Sequence, residues 1–268
     1  MWFMDDMPME RGRTIVDVLD AVVADLPTEV AILFSGGVDS GLLAAIVRRR
    51  SHPRLYTVGV EGAPDLEAAE DAAARLDLPW RPIIVDGDEL ERHCRALLQM
   101  TPPDDPITLS FELPLHIVAT ASEENVLITG QGADELFAGY HRYLSMTPAE
   151  LAKALETDLA KVMENVVPLD RRIAARKGKE VRHPFLDPRT IEMARSIPSG
   201  EMIVDRCRKA PLRQAAELLG LGPMATREKK AAQYGSGIMN VLRARARSRS
   251  LTLREYLEEL SAGQRYPN

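Results

Sequence analysis

Short apolar runs alternate with helix-forming stretches through the first half of the chain, and this alternation limits the fold more than any other feature. Val30–Phe34 is a wholly apolar run that stops at Ser35-Gly36-Gly37 and resumes as Gly41-Leu42-Leu43-Ala44-Ala45-Ile46-Val47 before three arginines, Arg48–Arg50. It reads as a buried strand, a glycine turn and a helix with cations at its C-terminal end, where the dipole favours them. Leu55–Val60, Pro82–Val85 and Asn125–Thr129 read as three further strands, and 65–76, 88–100 and 110–122 as the helices between them. Strands alternating with helices in short units predict an α/β fold with a parallel doubly wound sheet covered on both faces. Ligands of such sheets collect at the C-terminal strand ends, near a reversal of strand order. Two strands here, the first and the fourth, end in glycine-rich polar turns.

Beyond Tyr140 the composition shifts towards Ala, Leu, Glu, Lys and Arg. Segments 148–167, 189–197, 211–219 and 241–260 read as helices, giving a mainly helical C-terminal half. The organisation expected is an N-terminal helical segment at 1–29, an α/β nucleotide-binding core at 30–145 and a helical region at 146–268 that completes the site.

The 268 residues carry a formal net charge of −6. That balance speaks against a protein whose main task is gripping nucleic acid, which usually needs a basic excess. The two cysteines, Cys94 and Cys207, form no paired motif, so neither a zinc site nor a disulfide framework is expected. Residues 1–13 lack a long apolar run, which predicts neither a signal peptide nor a membrane span, and a cytoplasmic location. The histidines show no metal-ligand spacing. Arg243, Arg245, Arg247, Arg249 and Arg254 form a basic stretch that reads as a solvated helix face, with a docking patch for RNA or an acidic partner as the alternative.

The hexapeptide Ser35-Gly36-Gly37-Val38-Asp39-Ser40 sits between strand and helix, the setting a phosphate loop needs. Glycines let backbone N–H groups approach phosphate oxygens, and Ser35 and Ser40 add hydroxyls. Asp39 would repel phosphate unless it holds Mg²⁺. The loop lacks the lysine and spacing of a Walker sequence. S-G-G-V-D-S resembles the loop of the ATP-pyrophosphatase (PP-loop) superfamily, whose fold is the adenine nucleotide alpha hydrolase-like parallel sheet. Thr129-Gly130-Gln131-Gly132-Ala133-Asp134-Glu135-Leu136-Phe137-Ala138-Gly139-Tyr140 resembles the corresponding stretch of asparagine synthetases and β-lactam synthetases. Glu180–Asp187, Lys209–Arg213 and Arg227–Lys229 with Gly235 and Gly237 follow in the order of that family.

The resemblance implies an asparagine synthetase-like ligase. ATP and Mg²⁺ would be its cofactors, with a small carboxylate, aspartate by family expectation, and an amine as its substrates. Nucleotide-binding positions would be Ser35, Gly36, Gly37, Asp39, Ser40, Val60, Gly130, Gln131 and Asp134, with Asp39 and Asp134 holding the metal. Lys209 and Lys229 would contact the pyrophosphate and the charge developing at the α-phosphorus; Lys229 takes precedence over Lys230 because it stands third in R-x-K. Only about 30 residues precede the loop strand, with Trp2 where glutamine-hydrolysing relatives carry a nucleophilic cysteine. Ammonia would therefore come from solution or a separate glutaminase subunit, or the nucleophile would be another amine. Gln131 departs from the glutamate or tyrosine usual between those glycines, and an amide takes no proton at neutral pH. Glu180 is a candidate catalytic base in its place, as is a pyrophosphate oxygen. Two other readings stay open: a PP-loop tRNA-modifying enzyme, and a nucleotide-binding regulatory subunit without catalysis.

Overall fold

The computed structural model describes residues 6–101, 106–226 and 235–262. Five parallel strands form its central sheet: β1 (Glu29–Leu33), β2 (His52–Gly59), β3 (Trp80–Ile84), β4 (Val126–Ile128) and β5 (Glu180–Arg182). Their order across the sheet is β3-β2-β1-β4-β5. The chain first builds outward from β1 to β3, then returns to lay β4 on the other side of β1. The reversal lies between β1 and β4, which pair through Ala31↔Leu127 and Ile32↔Ile128.

Because side chains alternate across a strand, each strand feeds two cores. Val30, Ile32, Leu55, Val126 and Ile128 point into one. That core is closed by α1 (Asp6–Val22), α2 (Val38–Val47), α3 (Pro64–Leu76), α9 (Pro188–Arg195) and α10 (Ala210–Leu218). Ala31, Tyr56, Val58, Leu127 and Val181 point into the other, covered by α4 (Gly87–Leu98), α5 (Pro106–Ala121), α8 (Val167–Ala175) and the helices Ile238–Ser248 and Leu253–Ala262. The fold is thus an α/β sandwich with the parallel, doubly wound sheet in the middle.

Local chemistry accounts for the element ends. Pro64 opens α3 with Asp65 and Glu67 in its first turn and Arg75 in its last, charges placed to suit the helix dipole. Asp86 and Glu89 close a capping box on α4. The helix expected over 148–167 is instead α7 (Pro148–Lys161), a π-turn at Val162–Val166 and α8. The helix expected over 241–260 is two helices, parted by a left-handed residue, Ser250. β5 was not expected. It is a three-residue edge strand, too short for its alternation to stand out from the surrounding polar sequence.

Candidate active site at the strand tips

At the reversal point the tip of β1 runs into the Ser35–Ser40 loop and the tip of β4 into the Gly130–Gly132 turn. Gly36 adopts φ +66, and a side chain there would strike the carbonyl of Ala68 on α3, so only glycine fits. The loop is braced from within. Ser40 Oγ accepts from the Ser35 N–H at 3.2 Å and donates to the Gly37 carbonyl at 3.3 Å. No side chain caps α2 at Gly37, which leaves its first backbone N–H groups for an anion.

Lys209 joins the two tips. It precedes α10 in a left-handed conformation (φ +58). Its Nζ lies 2.6 Å from Asp39 Oδ2 and 2.7 Å from Asp134 Oδ1. Asp39 comes from the first turn of α2, and Asp134 from α6 (Ala133–Leu136), the short helix after β4. Burial opposes the ammonium charge, but Asp134 and Asp39 outweigh it and hold the lysine above its ordinary range. The second oxygen of Asp39 is buried without a hydrogen-bond partner. An orphaned carboxylate oxygen beside a second carboxylate suits a hard cation with oxygen ligands, so Asp39 and Asp134 fit Mg²⁺. Among the described residues no group of three or more His, Cys, Asp or Glu forms a metal cluster.

Gly139 packs so closely on this trio that a β-carbon there would overlap Asp134 Oδ1 and Lys209 Cε. Beside it, Glu135 is buried and accepts from the Tyr140 hydroxyl. Burial, with Asp134 adding to it, pushes the Glu135 carboxyl up to about 7.

The structure therefore gathers Ser35, Gly36, Gly37, Asp39, Ser40, Gly130, Asp134 and Lys209. Gly130 lies against the Asp39 side chain, and the Gln131 N–H donates to Thr129 Oγ1 at 3.3 Å. Val60 follows the tip of β2, its N–H donating to the Ser236 carbonyl at 3.0 Å. Glu180 does not join them. It opens β5 opposite Val126, the first residue of β4, and parallel register puts that residue at the end of the sheet away from the tips. Its carboxylate is exposed and paired with Arg182. Lys229 lies outside the described residues. Thr129 and His183, which fall within the quoted motifs, lie 2.7 Å apart at Oγ1 and Nδ1 behind the Gln131 turn. Sequence reasoning passed over the buried Glu112 and Asp170 near them, because one is a lone acid in an apolar stretch and the other stands beside arginines.

The asparagine synthase family profile matches residues 17–150 and 143–264, which between them contain both strand tips and Lys209. The chain belongs to the asparagine synthase family. It is 32% identical over 248 residues to the putative asparagine synthetase [glutamine-hydrolyzing] 1 of Methanocaldococcus jannaschii, covering 78% of this chain and 46% of that protein. It is 27% identical over 246 residues to asparagine synthetase B [glutamine-hydrolyzing] of Escherichia coli, covering 82% and 43%. The chain thus spans about half the length of the curated relatives it matches. Among solved structures it is similar to NMN synthetase from Francisella tularensis, with a TM-score of 0.46 and 12% identity over 95% of this chain and 86% of that one. Every residue at the β1–β4 reversal named above falls inside the matched spans.

Proposed function

We propose that this chain is an ATP-dependent, AMP-forming amide ligase that adenylates a small carboxylate, aspartate first among candidates, and passes the acyl group to ammonia or another amine. The observation that carries the reading is the Asp39–Lys209–Asp134 arrangement at the point where the sheet reverses. ATP would lie with its phosphates over the Ser35–Ser40 loop and the uncapped start of α2. Mg²⁺, held by Asp39 and Asp134, supplies charge neutralisation to the leaving pyrophosphate when bound. Attack of a carboxylate oxygen on the α-phosphorus places charge on the phosphoryl oxygens and the departing group. A preorganised, buried cation such as Lys209 lowers that barrier by roughly 3–4 kcal/mol, the scale of an oxyanion-hole donor. Lys229 is proposed as a second such cation. The amine is ammonia or another small amine.

The test is carboxylate-dependent exchange of labelled pyrophosphate into ATP, screened over amino acids with ammonia or glutamine supplied. Exchange should appear with one carboxylate class. It should fall at least 10²-fold in Asp39→Ala and Lys209→Met, while circular dichroism stays native. ATP binding with no exchange and no AMP from any carboxylate would overturn the ligase reading in favour of a regulatory nucleotide-binding subunit.

A further inference from the structure

The two carboxylates at the strand tips come from separate elements, Asp39 from α2 and Asp134 from α6, and meet at one point. Lys209 occupies that point, with Nζ 2.6 Å from Asp39 Oδ2 and 2.7 Å from Asp134 Oδ1. Mg²⁺ binds carboxylate oxygens at about 2.1 Å, so a metal on the same two oxygens would stand beside Nζ or in its place. The lysine and Asp39 side chains are only 10% and 14% exposed, and two positive centres so close in so little water repel strongly. Lysine and metal are therefore competitors for this carboxylate pair.

The backbone fixes the lysine in this place. Ile203–Val204 and Cys207–Arg208 pair as a small antiparallel hairpin, and Lys209 leaves it in the left-handed conformation that starts α10. The Ala210 N–H donates to the Met202 carbonyl and the Arg213 N–H to the Lys209 carbonyl, both at 3.0 Å. Gly139 packs on Lys209 Cε, and its carbonyl accepts from Arg208. The stem has little room, and a buried ammonium needs an anion wherever it points. Phosphate is the anion the neighbouring loop is built to gather. The uncapped start of α2 lies at Gly37, two residues before Asp39, so phosphates held there would border the lysine.

We infer that Lys209 makes the site selective for a metal–polyphosphate complex over the free divalent cation: it neutralises Asp39 and Asp134 until phosphate oxygens take over its ammonium, and only then do the two carboxylates accept the metal. The inference rests on the reading of Asp39 and Asp134 as the Mg²⁺ ligands of an ATP site. Two carboxylates and one ammonium leave a single surplus negative charge, a weak attraction for a dication that gives up its water reluctantly. A polyphosphate adds several negative charges and calls for both cations at once. Lys209 then exchanges carboxylate partners for phosphate partners without being left unpaired, and the aspartates never face each other bare. Asp39 Oδ1, buried without a hydrogen-bond partner, gives the metal a further oxygen once the lysine no longer repels it.

Mn²⁺ suits the same oxygen ligands as Mg²⁺, and electron paramagnetic resonance counts its bound fraction without turnover. The parent and Lys209→Met are titrated with Mn²⁺ in the absence of nucleotide. Lys209→Met should bind the metal about tenfold more tightly or better, since a competing buried charge is gone. Adding Asp39→Asn to Lys209→Met should erase the gain. A smaller gain, or one that survives Asp39→Asn, overturns the inference. If Lys209→Met does not fold, the parent decides by nuclear magnetic resonance. The Ser40 and Gly130 amide signals should stay sharp with equimolar Mn²⁺ alone and broaden when α,β-methylene-ATP is added with it. Broadening by Mn²⁺ alone overturns the inference. Broadening under neither condition means that these aspartates hold no metal, and the inference falls with that reading. Failure of the ligase reading alone is told apart by pyrophosphate exchange, which would then be missing with every carboxylate while the Mn²⁺ results stand.

Discussion

Gly139 and Gly36 both stand against the site without room for a methyl group, but what they touch differs. At Gly139 the obstruction is the far end of two side chains, Asp134 and Lys209, and Asp134 is 44% exposed and able to swing aside. Gly139→Ala should therefore break the ion-pair geometry while sparing the fold: pyrophosphate exchange should fall at least tenfold with a melting temperature within a few degrees of the parent. At Gly36 the obstruction is the Ala68 backbone, and φ is +66. Gly36→Ala should cost about 1–3 kcal/mol of stability on the scale of a strained backbone, readable by chemical denaturation, besides abolishing nucleotide binding. The glycines were legible as a pattern in the sequence, and so were Asp39, Asp134 and Lys209. The reason for Gly139 was not, because it depends on a lysine 70 positions away in the chain. Glu180 misled for the converse reason: its neighbours fit a family pattern, but strand register decides which end of the sheet a residue occupies.

At the scale of elements, the basic C-terminal stretch finds its explanation in α4. Glu91 is buried there and accepts from the Tyr256 hydroxyl, from Arg245 Nη1 at 3.0 Å and from Arg249 Nη2 at 3.0 Å. Arg245 also reaches Asp88, Arg249 reaches Glu259, and Arg254 pairs with Glu258. Much of the positive charge is therefore spent on tying Ile238–Ser248 and Leu253–Ala262 to the sheet's second face, which weakens the docking-patch alternative. Burial raises the Glu91 carboxyl, but the Tyr256 and Arg245 hydrogen bonds and the nearby arginines hold it below the ordinary range. Its contribution is thus present at neutral pH and lost on acidification. Glu91→Gln should lower stability by about 2 kcal/mol, the worth of hydrogen bonds to a charged group, measured by urea unfolding at pH 7. The break between these two helices was in fact readable. Thr252 and Glu255 form a capping box, the S/T-x-x-E signature of a new helix start, and apolar periodicity on either side concealed it.

For the molecule as a whole, buried histidines set one limb of the stability curve. Burial brings His116 and His183 each down to about 4, whereas the unfolded chain binds their protons near pH 6.5. The unfolded state then holds more protons than the native one between these values, so stability falls as pH drops from about 6.5 towards 4. Glu112 and Asp170 have the opposite sign, since they keep protons in the native state that the unfolded chain has released. His116→Gln removes one term of the first kind, so its melting temperature should fall less between pH 7 and pH 5 than the parent's does. An unchanged slope would mean that the ring charges without penalty.

Strand order also decides which stretches of polypeptide own the chemistry. β1 and β4 touch along only two residue pairs, yet Asp39 follows one and Asp134 the other, while Lys209 arrives from much later in the chain. No contiguous fragment shorter than about two-thirds of the polypeptide holds all three. A nucleotide spanning both tips would act as a fastener across the narrowest seam of the sheet, favouring chains whose most sequence-distant strands have already met. Substrate and a correctly closed sheet would then be selected by the same event.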